Sequence, residues 1–256
     1  VISMYLESIS DGNRFVRLAR QVTPRKPVIL LYGGRTEAGA QAAKSHTGSI
    51  ASNARIVDTA LKQSGCIKAD DFVELKEFAK VFSTQPIPGG NRVAVITAAG
   101  SVGVVVSDLC EENGLKLPDL APETVDKLKG VFPEWMEPKN PIDLWFSIEQ
   151  MGLTKALETS MRAPLSAPNI DAMIVILAGF EYTLEVIEKR MVQQIAQEYG
   201  KPVIVCMLVG YNKYKNLILE KLGVDMPVFT SLASGIKALS KLCEYGMKTY
   251  DREGGE

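Results

Sequence analysis

The stretch KPVILLYGG at residues 26–34 decides the fold class of this 256-residue chain. A short, continuous apolar run between Lys-Pro and Gly-Gly is typical of a strand that is buried on both faces. KPVIVCM at residues 201–207 repeats the pattern. Strands of this kind occur in parallel sheets covered by helices on both faces, so the sequence predicts an α/β protein. Buried strands of parallel sheets require similar apolar sequences, so the repeat by itself indicates no duplicated function.

Outward from that stretch, the pattern predicts a first α/β unit. It comprises strands at 1–6 and 26–32, helices at 14–21 and 53–63, and a histidine-bearing loop before the second of these helices. Asp71 and Glu74 have the capping-box spacing, which predicts a further helix to about residue 82. A Pro- and Gly-rich hinge follows at residues 85–91. We place the boundary there, giving domains 1–88 and 89–256.

The second unit repeats the alternation of strands and helices. Two flavodoxin-like domains follow, each a parallel sheet with helices on both faces. The predicted strands are 92–97, 115–117, 171–177, 201–207 and 228–229, and the predicted helices are 104–113, one opening at 122, 181–199 and 231–245. We expect residues 140–143 to form a loop with an Asx-type turn, Trp135 and Trp145 to be packing residues, and the acidic tail 251–256 to be frayed.

Composition narrows the functional classes. The net charge of −1 gives no global electrostatic reason to expect nucleic acid or an anionic membrane as partner. No apolar run approaches the ~20 residues that span a bilayer, and no secretory signal is visible. The four cysteines form no CxxC pair, which disfavours a zinc site or redox dithiol and favours buried, reduced thiols in a cytoplasmic protein. The chain opens in a strand pattern at Val1, so we expect a fragment.

A single histidine, His46, limits where proton or phosphoryl chemistry can sit, because imidazole alone has an unperturbed pKa near neutrality. Its neighbours are small and hydroxylic, and Gly39 and Gly48 let the backbone approach the ring closely. A structural histidine remains the alternative. Glu7 follows the first strand, where sites form in open α/β sheets. It could hold one imidazole nitrogen, or be a solvated surface glutamate.

The turn at residues 98–103 follows a strand and opens a helix. Amides at a helix N-terminus lack internal partners and carry partial positive charge, so they bind anions such as phosphate. The turn is not a full GxGxxG, because Ala98 stands at the first glycine position. A tight turn whose glycines serve packing is the other interpretation.

The segments GRTEAGA at 34–40 and SHTGS at 45–49 resemble the phosphohistidine segment of ADP-forming (NDP-forming) acyl-CoA synthetases, relatives of succinyl-CoA synthetase. The resemblance continues through NRVAVIT at 91–97, LAPET at 120–124 and NPID at 140–143, and covers essentially the whole chain. It implies an acid–thiol ligase that relays a phosphoryl group through His46 between an acyl phosphate and ADP/ATP, with Glu7 orienting the histidine. It also implies a phosphate cradle at Ala99, Gly100, Ser101, Val102 and Gly103, and a histidine loop that includes Ser45, Thr47, Gly48 and Ser49.

Such synthetases also contain a CoA-binding Rossmann domain and an ATP-grasp module. This chain resembles only their two flavodoxin-like domains, so the CoA-binding domain and one helix of the phosphate cradle would precede Val1. The resemblance therefore implies CoA, ATP/ADP and Mg²⁺ bound mainly by other domains, no tightly bound cofactor and no metal site here. It further implies a CoA-binding domain and an ATP-grasp domain or subunit as partners, a small carboxylic acid of unspecified acyl group as substrate, an oligomer, and little activity of the isolated fragment.

One departure keeps a second hypothesis open. The family usually has an asparagine and a glycine pair in the turn where this chain has Ala98, Ala99, Gly100 and Ser101. The alternative is a non-catalytic regulatory or sensor module of a protein acyltransferase or related assembly. The presence of His46 and Glu7 favours the enzyme, because a sensor needs neither. A flavodoxin-like electron carrier is disfavoured, because no Ser/Thr-rich flavin-phosphate loop follows a first strand.

Overall fold

The computed structural model describes residues 1–47, 54–178 and 181–253. The chain divides into two compact units, Val1–Ser83 and Thr84–Glu256. Each contains a parallel sheet surrounded by helices, which confirms the predicted α/β class. The predicted boundary at residue 88 stays a prediction; the amide of Val203 donates to Gln85 Oε1 (2.9 Å) inside the second unit.

Within residues 1–47 and 54–83, the first domain has a three-stranded sheet of order β1-β2-β3. Its elements are β1 (Ile2–Leu6), α1 (Gly12–Val22), β2 (Val28–Tyr32), α2 (Glu37–Thr47), α3 (Ala54–Ser64), β3 (Ile67–Ala69) and α4 (Phe72–Thr84). The central strand β2 is buried along its whole length, as its continuous apolar run predicts. In register, Leu6 pairs with Tyr32 and Leu31 with Ala69, so the carboxyl ends of the strands lie side by side.

The predicted capping signals operate in this domain. Asp71 Oδ1 accepts the amide of Glu74 (2.7 Å) at the start of α4, and Glu74 Oε2 accepts the amide of Asp70 (2.9 Å). Gly65 has a φ of 74° and follows α3 directly. A left-handed residue of this kind ends a helix at little cost only when it is glycine.

Two predictions in the first domain were wrong. Residues 37–47, expected to be a loop, form α2. Thr36 Oγ1 accepts the amide of Gly39 (3.1 Å) and caps this helix, whose alanine-rich sequence has high helix propensity. Strand β3 was not predicted, because it has only three residues with Lys68 in the middle, and so short a run shows no clear periodicity.

The second domain contains, among its described residues, a five-stranded parallel sheet of order β5-β4-β6-β7-β8. Its strands are β4 (Val93–Thr97), β5 (Ile142–Asp143), β6 (Ala172–Leu177), β7 (Val203–Met207) and β8 (Val228–Phe229). Its helices are α5 (Gly100–Glu112), α6 (Pro122–Lys129), α7 (Trp145–Met151), α8 (Leu153–Leu165), α9 (Glu181–Val186), α10 (Met191–Tyr199), α11 (Lys215–Leu222) and α12 (Leu232–Glu253). Strands β4, β6 and β7 are buried throughout and form the centre of the core.

The cysteines behave as predicted. All four are free thiols, and Cys110, Cys206 and Cys243 are buried. Burial raises the pKa of Cys110 to about 12, and burial together with the charge of Asp171 raises that of Cys243 to about 12. These thiols therefore stay protonated and contribute as small apolar side chains.

Several details of the second domain differ from prediction. The helix predicted at 181–199 is interrupted at Arg190, whose φ of 61° is left-handed, and becomes α9 and α10. Residues 142–143 form β5, helices α7, α8 and α11 were not predicted, and 115–117 contributes a single bridge from Lys116 to Arg92. Helix α5 begins at Gly100 rather than at 104. Helix α12 continues to Glu253, into the tail expected to fray; residues 254–256 lie outside the described part.

The two tryptophans are not packing residues. Trp135 is 70% exposed and Trp145 is 53% exposed. The Trp135 ring instead meets the ring of Phe146 edge-on, with 4.9 Å between ring centroids. Their indoles therefore lie on the surface of the second domain.

Candidate functional site

Glu7 lies where the sequence places it, directly after β1 at the carboxyl edge of the first sheet. Tyr5 Oη donates a hydrogen bond of 2.9 Å to Glu7 Oε1. The hydrogen bond to Glu7 is the main cause that raises the pKa of Tyr5, because a phenolate beside a carboxylate is disfavoured. The adjacent strand ends at Gly33, whose amide donates to the carbonyl oxygen of Leu6 (2.9 Å). Tyr5 was missed in the sequence, although the two-residue strand period places it on the same face as Glu7.

A cluster of four charges follows at the same edge. Arg35 pairs with Asp58 (3.4 Å) and with Asp70 (3.2 Å). Lys68 pairs with the same two carboxylates, at 3.1 and 3.3 Å. Arg35 lies between β2 and α2, so these ion pairs connect the entrance of α2 to α3 and to the end of β3.

Helix α2 carries His46 in its last turn. The middle of the helix lies against the end of β2: a Cβ on Gly34 would be 3.6 Å from Ala43 Cβ, and Ala43 is buried. His46 comes three residues after Ala43, about 4.5 Å farther along the helix axis. The side chain of His46 lies outside what the structure describes.

The other residues of the predicted histidine loop are divided. Ser45 is exposed on α2, and its hydroxyl donates to the carbonyl oxygen of Gln41 (3.0 Å). Thr47 is the last residue of α2, and its side chain is not described. Gly48 and Ser49 lie outside the described residues.

In the second domain, Ala99 is the N-cap of α5, with a φ of −152° and no side-chain cap. The amides of Val102 and Gly103 already donate to the Ala99 carbonyl oxygen, at 3.0 and 3.2 Å. Those of Gly100 and Ser101 have no acceptor within the described residues. They are the free amides that an anion can bind at a helix N-terminus.

Two neighbouring features shape this turn. Thr97, which is 1% exposed, accepts the amide of Ala99 on its Oγ1 (3.2 Å) and so fixes the exit of β4. The Asp143 carboxylate lies beside the helix start: a Cβ on Gly100 would be 3.1 Å from Asp143 Oδ2. Asp143 Oδ1 accepts the amide of Trp145 (3.0 Å), which is the Asx-type contact expected there. Asp143 was not among the predicted site residues, because its proximity to Gly100 depends on the pairing of β5 with β4.

Glu7 lies at the carboxyl edge of the first sheet, His46 lies in the last turn of α2, and residues 99–103 lie at the carboxyl edge of the second sheet. Within residues 1–47, 54–178 and 181–253, no three His, Cys, Asp or Glu side chains gather as a metal site. No helix in the described ranges is both long and apolar enough to cross a bilayer.

Two parallel-sheet domains, one with a histidine helix and one with free amides at a helix start, define an α/β protein of the succinyl-CoA ligase type. Residues 1–82 match the family described as "Succinyl-CoA ligase like flavodoxin domain", and residues 93–252 match the "Ligase-CoA domain" family. The chain belongs to the ADP-forming acetyl-CoA synthetase family.

Individual relatives support the same family assignment. The chain is 39% identical over 233 residues to the alpha subunit of acetate–CoA ligase [ADP-forming] II of Pyrococcus furiosus, covering 87% of this chain and 49% of that protein. It is 34% identical over 258 residues to acetate–CoA ligase [ADP-forming] II of Archaeoglobus fulgidus, covering 97% and 36%. Among solved structures, it superposes with a TM-score of 0.81 and 29% identity on Ca. Korarchaeum cryptofilum dinucleotide forming acetyl-coenzyme A synthetase 1 in complex with phosphate and ADP, covering 97% and 54%. The chain therefore spans about half, or less, of the length of these relatives.

Proposed function

We propose that this chain is the phosphoryl-relay part of an ADP-forming acyl-CoA synthetase and that His46 carries the phosphoryl group. The observation that carries the proposal is the pair of free amides at the start of α5, in a chain whose family includes acetate–CoA ligases. The position of Glu7 at the carboxyl edge of the first sheet supports it, because that edge is where sites form in open α/β sheets.

The reaction divides into steps whose atoms balance. Phosphate displaces CoA from the acyl thioester and gives an acyl phosphate and free CoA. A neutral imidazole nitrogen of His46 then attacks the phosphorus, the bond from phosphorus to the acyl oxygen breaks, and the carboxylic acid leaves as carboxylate. In the last step the β-phosphate oxygen of ADP attacks the phosphohistidine, which gives ATP and restores the imidazole. Every step is reversible.

Each group in this chain has a role in that sequence. Glu7 accepts the N–H of the imidazole and thereby leaves the other nitrogen unprotonated for attack. The amides of Gly100 and Ser101 donate to phosphoryl oxygens, and the positive end of α5 stabilises their charge. Val102 and Gly103 contribute the first turn on which those amides depend.

The remaining components belong to other parts of the assembly in this proposal. CoA and the adenine nucleotide, with Mg²⁺ to screen its phosphates, bind mainly to a CoA-binding domain and an ATP-grasp domain or subunit. The P. furiosus relative is itself an alpha subunit, which supports a partner subunit for this chain. The substrate is a small carboxylic acid, and the isolated chain should turn over little.

The test is phosphorylation of the full-length protein in its complete assembly with ATP and magnesium. We expect a phosphoprotein that is acid-labile and base-stable, as phosphohistidine is, and that disappears in His46→Asn. Asparagine keeps a polar side chain of moderate size, so the thermal unfolding midpoint should stay close to that of the parent. Labelling of His46→Asn at the parent level contradicts the proposal.

A second measurement connects the label to the reaction. The labelled protein, freed of nucleotide, should transfer its phosphoryl group to ADP to give ATP, and to a carboxylic acid plus CoA to give acyl-CoA and phosphate. A panel of acids then identifies the acyl group. Labelled protein that transfers to neither acceptor contradicts a relay and favours the regulatory alternative.

A further inference from the structure

We propose that Tyr5 is a positioning residue for the phosphoryl relay, holding the Glu7 carboxylate in the orientation that His46 requires. This inference rests on the proposed function, in which Glu7 acts on His46. Its direct observation is the hydrogen bond of 2.9 Å from Tyr5 Oη to Glu7 Oε1.

Glu7 directly follows the last residue of β1, and a glutamate side chain has several rotamers of similar energy. A bond to the phenol selects among these rotamers. An ionised carboxylate has two oxygens and about four lone-pair sites, so one carboxylate can accept from a phenol and from an imidazole N–H at the same time.

Tyr5 is itself held in place by two neighbours. Its ring packs against that of Phe72, with 5.2 Å between centroids and 43° between planes. Its hydroxyl lies over Gly33, where an added Cβ would be 2.7 Å from Tyr5 Oη and 3.2 Å from the ring. Any larger residue at position 33 would displace the hydroxyl. Because the amide of Gly33 is bonded to Leu6, the backbone cannot withdraw freely to make room.

The chemistry of the contact also suits a constant donor. The carboxylate of Glu7 raises the pKa of Tyr5 from its ordinary value, so the phenol keeps its proton throughout the neutral range. It therefore orients Glu7 without itself exchanging a proton during turnover.

The experiment is a double-mutant cycle in the complete assembly: the parent, Tyr5→Phe, Glu7→Gln and the double variant. The initial rate of acid-labile labelling from ATP is measured together with the thermal midpoint. Tyr5→Phe keeps the ring and removes the hydroxyl, and we expect about a tenfold slower rate, since the lost hydrogen bond is to a charged group. The double variant should label at the rate of Glu7→Gln alone, because Tyr5 acts only through Glu7.

Tyr32→Phe is the matched control. Tyr32 is buried on the adjacent strand, and its hydroxyl has no hydrogen-bond partner within the described residues, so its removal should leave the rate within twofold. Gly33→Ala is the second probe: it displaces the Tyr5 hydroxyl and should reproduce the loss seen in Tyr5→Phe.

The outcomes separate two failures. Unchanged labelling in Tyr5→Phe, or losses from Tyr5→Phe and Glu7→Gln that multiply in the double variant, overturns the role of Tyr5 while the relay stands. Undiminished labelling in His46→Asn overturns the relay itself, and the role of Tyr5 with it.

Discussion

The carboxyl edges of the two sheets present different chemical groups: side chains in the first domain and backbone amides in the second. The first domain places side chains there: Glu7, Tyr5 and the ion pairs of Arg35. The second domain places backbone there, as the free amides of Gly100 and Ser101. A side chain can be removed by one substitution, whereas an amide survives nearly every substitution of its own residue. If phosphate binds to these amides, as we propose, the turn at residues 99–103 should tolerate changes of side chain but not changes of backbone shape.

The charges follow the same division. An ion pair of the second domain, between Arg92 and Asp171, lies at the opposite, amino edge of its sheet. Asp171 Oδ1 and Oδ2 accept from the Arg92 guanidinium, at 2.7 and 2.8 Å, and Oδ2 also accepts the Arg92 amide (2.9 Å). The Asp171 side chain is 12% exposed, whereas Asp58 and Asp70 are 41% and 51% exposed. This ion pair therefore lies at the edge of the sheet opposite to the turn at residues 99–103.

The largest expected effect compares these two clusters. Arg92→Ala should lower the free energy of unfolding by about 2 kcal/mol, or about 30-fold in the folding constant, because it leaves a largely buried carboxylate unpaired. Arg35→Ala should cost less than about 1 kcal/mol, because solvent screens its partners. Chemical denaturation of both variants measures this. Equal losses would contradict the contrast between the two domains.

The pH dependence gives the sign of the same effect. Burial by itself would raise the pKa of Asp171, but the hydrogen bonds and charge of Arg92 outweigh burial and lower it. A lowered carboxyl pKa stabilises the fold above the unfolded value, about 3.9, and this contribution is lost as the pH falls through the folded value. The deficit of Arg92→Ala should therefore be full at neutral pH and shrink below about pH 4. Denaturation series at pH 7 and pH 3 test this sign.

The next largest effect is expected for Gly100→Ala, which should lower phosphate affinity about fivefold. An added Cβ would lie 3.1 Å from Asp143 Oδ2 and crowd the anion site, so phosphate affinity in the complete assembly should fall, as titration with inorganic phosphate measures. Stability should stay equal or rise by about 0.5 kcal/mol, because alanine favours helix over glycine. Gly12→Ala is the control, since its Cβ would meet nothing within 4 Å. Loss of stability together with affinity would identify a folding defect instead.

Asp143→Asn should have the opposite effect and raise phosphate affinity about threefold. It removes a negative charge beside the amides proposed to bind phosphate, and an asparagine Oδ1 can still accept the amide of Trp145. We expect tighter phosphate binding in the same titration, with the difference shrinking at high salt. Weaker binding would show that the carboxylate assists the anion.

Ser101→Ala should have the smallest effect of these substitutions. The side chain is exposed, and the contribution proposed for this residue is its amide, so phosphate affinity and labelling should stay within about 1.5-fold of the parent. A tenfold loss of phosphate affinity would mean that the Ser101 hydroxyl binds phosphate, so that the turn would depend on a side chain and not only on its amides.

The features that could be predicted from the sequence were those with strong local signals. Strands β2, β6 and β7 have continuous apolar runs. The positions of Glu7 and of residues 99–103 at strand ends could be predicted because each follows a strand, and their roles stay predictions. Strands β3 and β5 were missed because runs of three and two residues are too short to show a periodicity. The break at Arg190 was missed because its left-handed backbone belongs to a residue type that rarely adopts it. The contacts of Tyr5 with Gly33 and of Asp143 with Gly100 depend on strand pairing, which no local pattern reports.

The ends of the second domain have a consequence for how such proteins diversify. Helix α12 passes so close to the start of this domain that a Cβ on Gly246 would collide with the carbonyl oxygen of Pro88. A module whose entry and exit lie together can be moved between polypeptides by joining both ends at one place, without stretching its host. The relatives occur both as an alpha subunit and as a longer chain of which this one covers 36%. A side chain at position 246 would push α12 away from residues 87–88, so the proximity of these two parts of the second domain depends on this glycine.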